Sequence, residues 1–214
     1  MRTQFDRQLE ELHIGLITMG ALCEDAIASV AKALIDGDDK RLPAVFDADS
    51  RLKQMERDVE SQCLRLLLRQ QPVARDLREI SSALKMIYDL ERIGDQAADI
   101  AELIPYVLRH PLPETLLLGD MARAVIGMVT DSVEAFVKRN ADAARAVIRS
   151  DDTVDALFCR VKQELTALIR GESEDAEWCL DLLMTAKYFE RIGDHAVNVA
   201  GWVIFSVTGR HEEE

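Results

Sequence analysis

The pentapeptide ERIGD stands at residues 91–95 and returns at 190–194, inside the longer segments YDLERIGDQAADIAE and YFERIGDHAVNVAGW. The likeness reaches well beyond it. The two copies of the motif lie 99 residues apart, and upstream, at a spacing of 102, VFDADSRL (45–52) meets VIRSDDTV (147–154) while ALIDGD (33–38) meets AFVKRN (135–140). The change of three residues falls in a loop, where added length costs least. A chain of 214 residues built this way is a tandem repeat of about 100 residues, and it must fold as two like units.

The unit is helical. Long segments carry Leu, Ala, Ile and Val at three- and four-residue spacing, with only 10 Gly and 5 Pro in the whole chain and no convincing alternating strand. Breakers predict six helices, at about 3–35, 40–69, 73–109, 114–138, 141–169 and 173–207, separated by DGDD (36–39), QQP (70–72), HPLP (110–113), RN (139–140) and RGES (170–173). Pro105 predicts a kink or early stop in the third. Short connections make neighbouring helices antiparallel. The expected fold is all-α, with a three-helix bundle over residues 1–110 and a second over 111–214.

On a helix, Glu91, Asp95 and Asp99 fall at i, i+4 and i+8 and form one stripe, to which Glu102 returns at i+11; the second copy reads Glu190, Asp194, Asn198 and Gly201. Carboxylates four residues apart repel by a few tenths of a kcal/mol, and a hard cation relieves that repulsion directly. The stripe flanks the apolar side centred on Leu90, Ala97, Ala101 and Ile104, which suits a partly shielded groove at the edge of a bundle. A solvated acidic face is the competing reading of any single ExxxD; retention of Glu, Arg and Asp in both copies, while Leu90/Phe189 and Gln96/His195 drift, brings a bound cation level with it. Gly94 and Gly193 each cost a helix about 1 kcal/mol relative to Ala, so close helix packing or room for a ligand is expected there. Asp49 and Asp151 are equivalent across the repeat and sit on the second helix of each unit; capping or solvation is the expected role, with a place facing the motif across the bundle as the alternative. His195 projects away from Asp194, toward another helix or water.

The net charge of −13 excludes a protein whose business is the phosphate backbone of nucleic acid, and sets the bare chain against an anionic membrane surface. The four cysteines are widely spaced without a CxxC pair and read as reduced core residues. The N-terminal segment is charged and amphipathic, and VAGWVIFSV (199–207) is too short to span a bilayer; a soluble, cytoplasmic chain is expected. There is no GK[ST] phosphate loop, GxSxG, HExxH or helical ExxH. An adaptor working by contact is therefore expected over an enzyme, with a ferritin-like, metal-dependent enzyme using the ERIGD carboxylates as the alternative.

Three segments, CLRLLLRQQPVARDLREISSALKMIYDLERIGDQAADIAE (63–102), DDTVDALFCRVKQEL (151–165) and AKYFERIGDHAVNVAG (186–201), resemble the PhoU family of accessory regulators of bacterial phosphate-specific transport, and the resemblance covers essentially the whole chain. It implies two symmetrical three-helix bundles, each with an E/DxxxD motif for iron, zinc, manganese or magnesium. Carried over by position, the ligands are Glu91 and Asp95 in one bundle and Glu190 and Asp194 in the other, with Asp99 and Asn198 continuing each motif. The implied role is negative regulation of phosphate uptake and of the phosphate-starvation response. A homodimer is implied, linking the phosphate ABC transporter to a membrane sensor histidine kinase and reaching the membrane only through these partners. The mismatches Asp99/Asn198 and Glu102/Gly201 imply that the two sites differ.

Overall fold

The structure is a computed structural model that describes residues 2–70, 72, 74–113, 115–171 and 175–211. Its six long helices are α1 (Arg2–Asp36), α2 (Leu42–Gln70), α3 (Ala74–Val107), α4 (Leu118–Val137), α5 (Ala141–Arg170) and α6 (Ala176–Thr208), and no strand occurs among the described residues. Local chemistry fixes several of their ends. Asn140 Oδ1 accepts hydrogen bonds from the Asp142 and Ala143 amides at 3.1 Å and opens α5. Asp175 does the same for Glu177 at the start of α6. At the far end of α6, Gly209 takes the left-handed conformation (φ 75°) that a helix stop favours.

α1, α2 and α3 pack on one another, as do α4, α5 and α6, giving the two bundles of the duplication. The bundles do not hinge apart. α3 lies against α6 in the most extensive helix pair of the molecule, and α1 lies against α4. One continuous apolar core results, running from Leu12, Leu16 and Met19 through Leu90, Ala97 and Ile104 to Phe189 and Val203, all fully buried. Each motif therefore sits on the helix that faces the other repeat. α1 is the one helix among the described residues with a window long and apolar enough to cross a membrane. Its stripe of Leu12, Leu16, Met19, Ile27 and Val30 is spent on the core.

Some boundaries differ from expectation. A 3-10 turn at Asp39–Arg41, capped by Asp38, precedes α2, so that helix starts at Leu42 and not Lys40. The expected starts at Val73, Glu114 and Ser173, and parts of the QQP and RGES breakers, lie outside the described residues. α4 begins at Leu118, after a turn in which the Leu116 amide donates to Pro113 O at 3.0 Å. Pro105 neither stops nor shortens α3 appreciably: it lies in the last turn, where the amide bond it forfeits is one of few remaining, and the helix continues to Val107. Of the cysteines, Cys23, Cys63 and Cys179 are buried as expected, but Cys159 is exposed on the outer face of α5. Burial pushes the Cys63 thiol up to about 12, which keeps it unreactive.

Candidate metal centre in the two repeats

In the first bundle, α3 presents Glu91 buried and Asp95 and Asp99 half-buried. Opposite them α2 supplies Asp49 and, one turn on, Lys53. The Lys53 ammonium donates to Asp49 Oδ2 at 2.8 Å and lies 2.8 Å from Asp95 Oδ1. Arg92, on the same helix as Asp95, pairs with its other oxygen. The two carboxylates hold the ammonium well above its ordinary value, Asp49 more than Asp95. Glu91 touches neither cation; burial, then Asp95 and Glu56, push its carboxyl up.

In the second bundle, α6 presents Glu190 half-buried and Asp194 exposed, and α5 supplies Asp151 from the position equivalent to Asp49. The position equivalent to Lys53 is Asp155. Among the described residues no Lys, Arg or His comes within ion-pair distance of Asp151, Asp155 or Asp194; Lys187 pairs with Glu190 alone and lies over the Phe158 ring. Burial and the neighbouring charges of Asp155, Asp194 and Glu190 raise the Asp151 carboxyl from 3.8 to about 6. Its Oδ1 is buried without a hydrogen-bond partner, a costly state for a carboxylate oxygen.

The paired glycines explain how closely the helices approach. A Cβ on Gly94 would run into Leu52, which is fully buried on α2. On Gly193 it would stand 2.9 Å from Asp151 Oδ1 and 3.5 Å from Val154, the counterpart of Leu52. In both repeats the glycine lets the second helix of the bundle settle onto the third. In the second repeat it also makes room for the carboxylate.

The third member of each stripe points elsewhere. Asn198 donates its amide to Asp89 Oδ1 at 3.1 Å, and His195 Nδ1 lies 3.0 Å from the same oxygen. Asp89 is a buried α3 residue, so this cluster joins the two repeats. By the repeat's symmetry Asp89, His195 and Asn198 correspond to Tyr188, Gln96 and Asp99. The matching end of the α3–α6 joint shows the same neighbours: Asp99 helps to raise the Tyr188 hydroxyl, after burial, and burial, Asp95 and Glu102 raise the Asp99 carboxyl, with Arg191 opposing. Asp99 and Asn198 thus belong to the joint between bundles, while Glu91/Asp95 and Glu190/Asp194 face the second helix of their own bundle.

Sequence reading along a single helix missed Lys53 and Asp155. Continuing the repeat alignment one residue past Leu52 and Val154 sets them against each other, and that charge reversal was the available signal. As a metal site the first half does not fit, because an ammonium already bridges Asp49 and Asp95. The second half offers Asp151, Asp155 and Asp194 without that cation, while Lys187 holds both oxygens of Glu190. Among the described residues no three His, Cys, Asp or Glu side chains are gathered to hold an ion as they stand.

The PhoU domain profile matches the chain twice, over residues 16–104 and 118–203. The chain belongs to the PhoU family. Its relatives include the phosphate-specific transport system accessory protein PhoU homolog of Clostridium acetobutylicum, 35% identical over 98% of this chain and 96% of that protein. The homolog so named in Pseudomonas putida is 36% identical over 96% of this chain and 81% of its own length. Among solved structures, the PhoU crystal structure from Pseudomonas aeruginosa superposes with a TM-score of 0.90 at 34% identity, covering 96% of this chain and all of that one (100%). That of the phosphate transport system regulatory protein PhoU from Streptococcus pneumoniae also gives 0.90, at 25% identity over 98% of this chain and 100% of its own. In both PhoU-domain matches the ERIGD helix lies near the C-terminal end of the matched segment.

Proposed function

We propose that this chain is a cytoplasmic, non-enzymatic accessory regulator of a phosphate-specific transport system. It restrains phosphate uptake and the phosphate-starvation response by linking the transporter to a membrane sensor histidine kinase, and it acts as a homodimer. The observation that carries the reading is full-length similarity to proteins named as accessory or regulatory components of such a system. The metal-binding part rests on Asp151, Asp155, Glu190 and Asp194, whose oxygens suit magnesium, manganese or iron and accept zinc less readily. A bound cation supplies positive charge to an acidic surface. These carboxylates must turn toward it. Neutralising them lets an acidic chain approach a basic partner or an anionic membrane face that its bare charge of −13 repels.

Deleting the gene in its host and following a phosphate-starvation reporter tests the regulatory role: derepression at high phosphate is expected, and a reporter still repressed contradicts it. Chelation is expected to weaken association with the membrane complex, and unchanged association in chelator removes the metal from the role.

A further inference from the structure

The same pair of positions, one on the second helix and one on the third of each bundle, is treated in opposite ways by the two repeats. Between Asp49 and Asp95 stands the Lys53 ammonium, 2.8 Å from each, and Arg92 supports Asp95 from its own helix. Two carboxylates therefore meet two cations. Between their counterparts Asp151 and Asp194 no side-chain cation stands among the described residues, and the residue in the place of Lys53 is a third carboxylate, Asp155. Asp49 and Asp151 each keep one buried Oδ1 without a hydrogen-bond partner, so the two repeats differ in the cation between their carboxylates and not in that oxygen.

We propose that Lys53 is the resident cation of the first repeat. Its ammonium takes the place of a metal ion between α2 and α3, so the metal binding of this chain is confined to the repeat that holds Asp151 and Asp194. The inference rests on reading that second cluster as a metal site. The physics is direct. A divalent ion entering between Asp49 and Asp95 would have to expel an ammonium held by two close contacts, or remain beside it and be repelled. A tethered ammonium loses little entropy on staying where it is, whereas a free ion must shed water to enter. Glu91 keeps acidic neighbours in Glu56 and Asp95, so once the lysine is gone the donor set in the first repeat resembles that of the second. The duplication has then been divided into one repeat closed by its own chain and one left open to the solution.

The test is Mn2+ titration of the full-length, chelator-treated chain by calorimetry, with metal analysis of the dialysed protein. The variants are Lys53→Asp, which copies the second repeat, and the milder Lys53→Asn, each alone and combined with Glu91→Ala/Asp95→Ala. In the natural chain Glu91→Ala/Asp95→Ala should leave the Mn2+ load unchanged. Lys53→Asp or Lys53→Asn should add about one ion per chain, lost again when Glu91 and Asp95 are removed. Circular dichroism confirms that each variant is folded, and Lys53→Asn decides the matter if Lys53→Asp is not. The inference is overturned if Glu91→Ala/Asp95→Ala lowers the load of the natural chain, or if neither lysine variant gains an ion. Failure of the underlying reading looks different: Glu190→Ala/Asp194→Ala then has no effect on metal, while a gain in the lysine variants still upholds the role of Lys53.

Discussion

Two helices in this molecule carry the same five residues, ERIGD, and the surroundings give the two copies different electrostatic fates. On α3 the aspartate is tied to Lys53 and Arg92; on α6 it faces Asp151 and Asp155 with no ion pair among the described residues. One side chain on the facing helix, lysine in the first repeat and aspartate in the second, accounts for most of the contrast. A duplicated acidic motif is therefore not a duplicated site, because the charge that decides its behaviour comes from the helix across the bundle.

The largest effect should come from transplanting that one side chain. Asp155→Lys gives the second repeat the lysine of the first, and is expected to weaken Mn2+ binding there by about 100-fold, the order of loss that follows when a metal site is disturbed at its periphery or beyond. Calorimetry reads this, and undiminished affinity would break the comparison. Next in size is the stability of the metal-free chain. Lys53→Met leaves Asp49 and Asp95 facing each other with only Arg92 in support. A loss of about 1–2 kcal/mol in urea unfolding is expected, more than an exposed ion pair contributes and less than a fully buried one. Asp151→Asn removes repulsion instead, and should leave the metal-free protein no less stable than before.

The glycines sharpen the comparison further. Gly94→Ala forces a methyl against buried Leu52 and should cost about 1 kcal/mol net, since overpacking outweighs the gain in helix propensity. Gly193→Ala presses on Asp151 Oδ1, so its main consequence should be weaker metal binding. Parallel unfolding and titration of both variants checks this division.

The smallest effect is the response to pH. The Asp151 carboxyl is raised from 3.8 to about 6 in the folded chain, so between those values the folded state holds more protons than the unfolded state. Stability of the metal-free chain should then fall as pH rises through that window and level off above it, by about 1 kcal/mol or less because the half-buried side chain is still partly screened by solvent. Metal affinity runs the other way, increasing as pH rises toward about 6. In the first repeat the Lys53 bridge does not titrate there, since its raised value lies well above neutrality. Melting curves at pH 4 and pH 7, with Asp151→Asn as the control that flattens the difference, measure the effect.

The fold was legible because its signals are local. Periodicity, caps and breakers lie within single segments, and the repeat alignment is visible in the letters alone. The start of α2 differs because Asp38 to Arg41 carry helix-compatible side chains but bond as a turn. What Pro105 does to α3 depends on how many turns of helix remain after it, and only two residues do. At the site, the Glu/Asp pairs could be read along one helix. The roles of Lys53 and Asp155 could not, since they depend on which face of α2 or α5 meets the motif. Asn198 fitted the stripe by spacing, yet its partner Asp89 lies in the other repeat, 109 positions away, where no helical period reaches.

The most direct measurement is a nuclear magnetic resonance titration of the natural, isotope-labelled chain with substoichiometric Mn2+, following paramagnetic broadening of backbone amides residue by residue. Broadening that begins around Asp151, Asp155 and Asp194 and spares Asp49, Lys53 and Asp95 is the predicted result. Equal broadening around both ERIGD segments, or none around either, would contradict it.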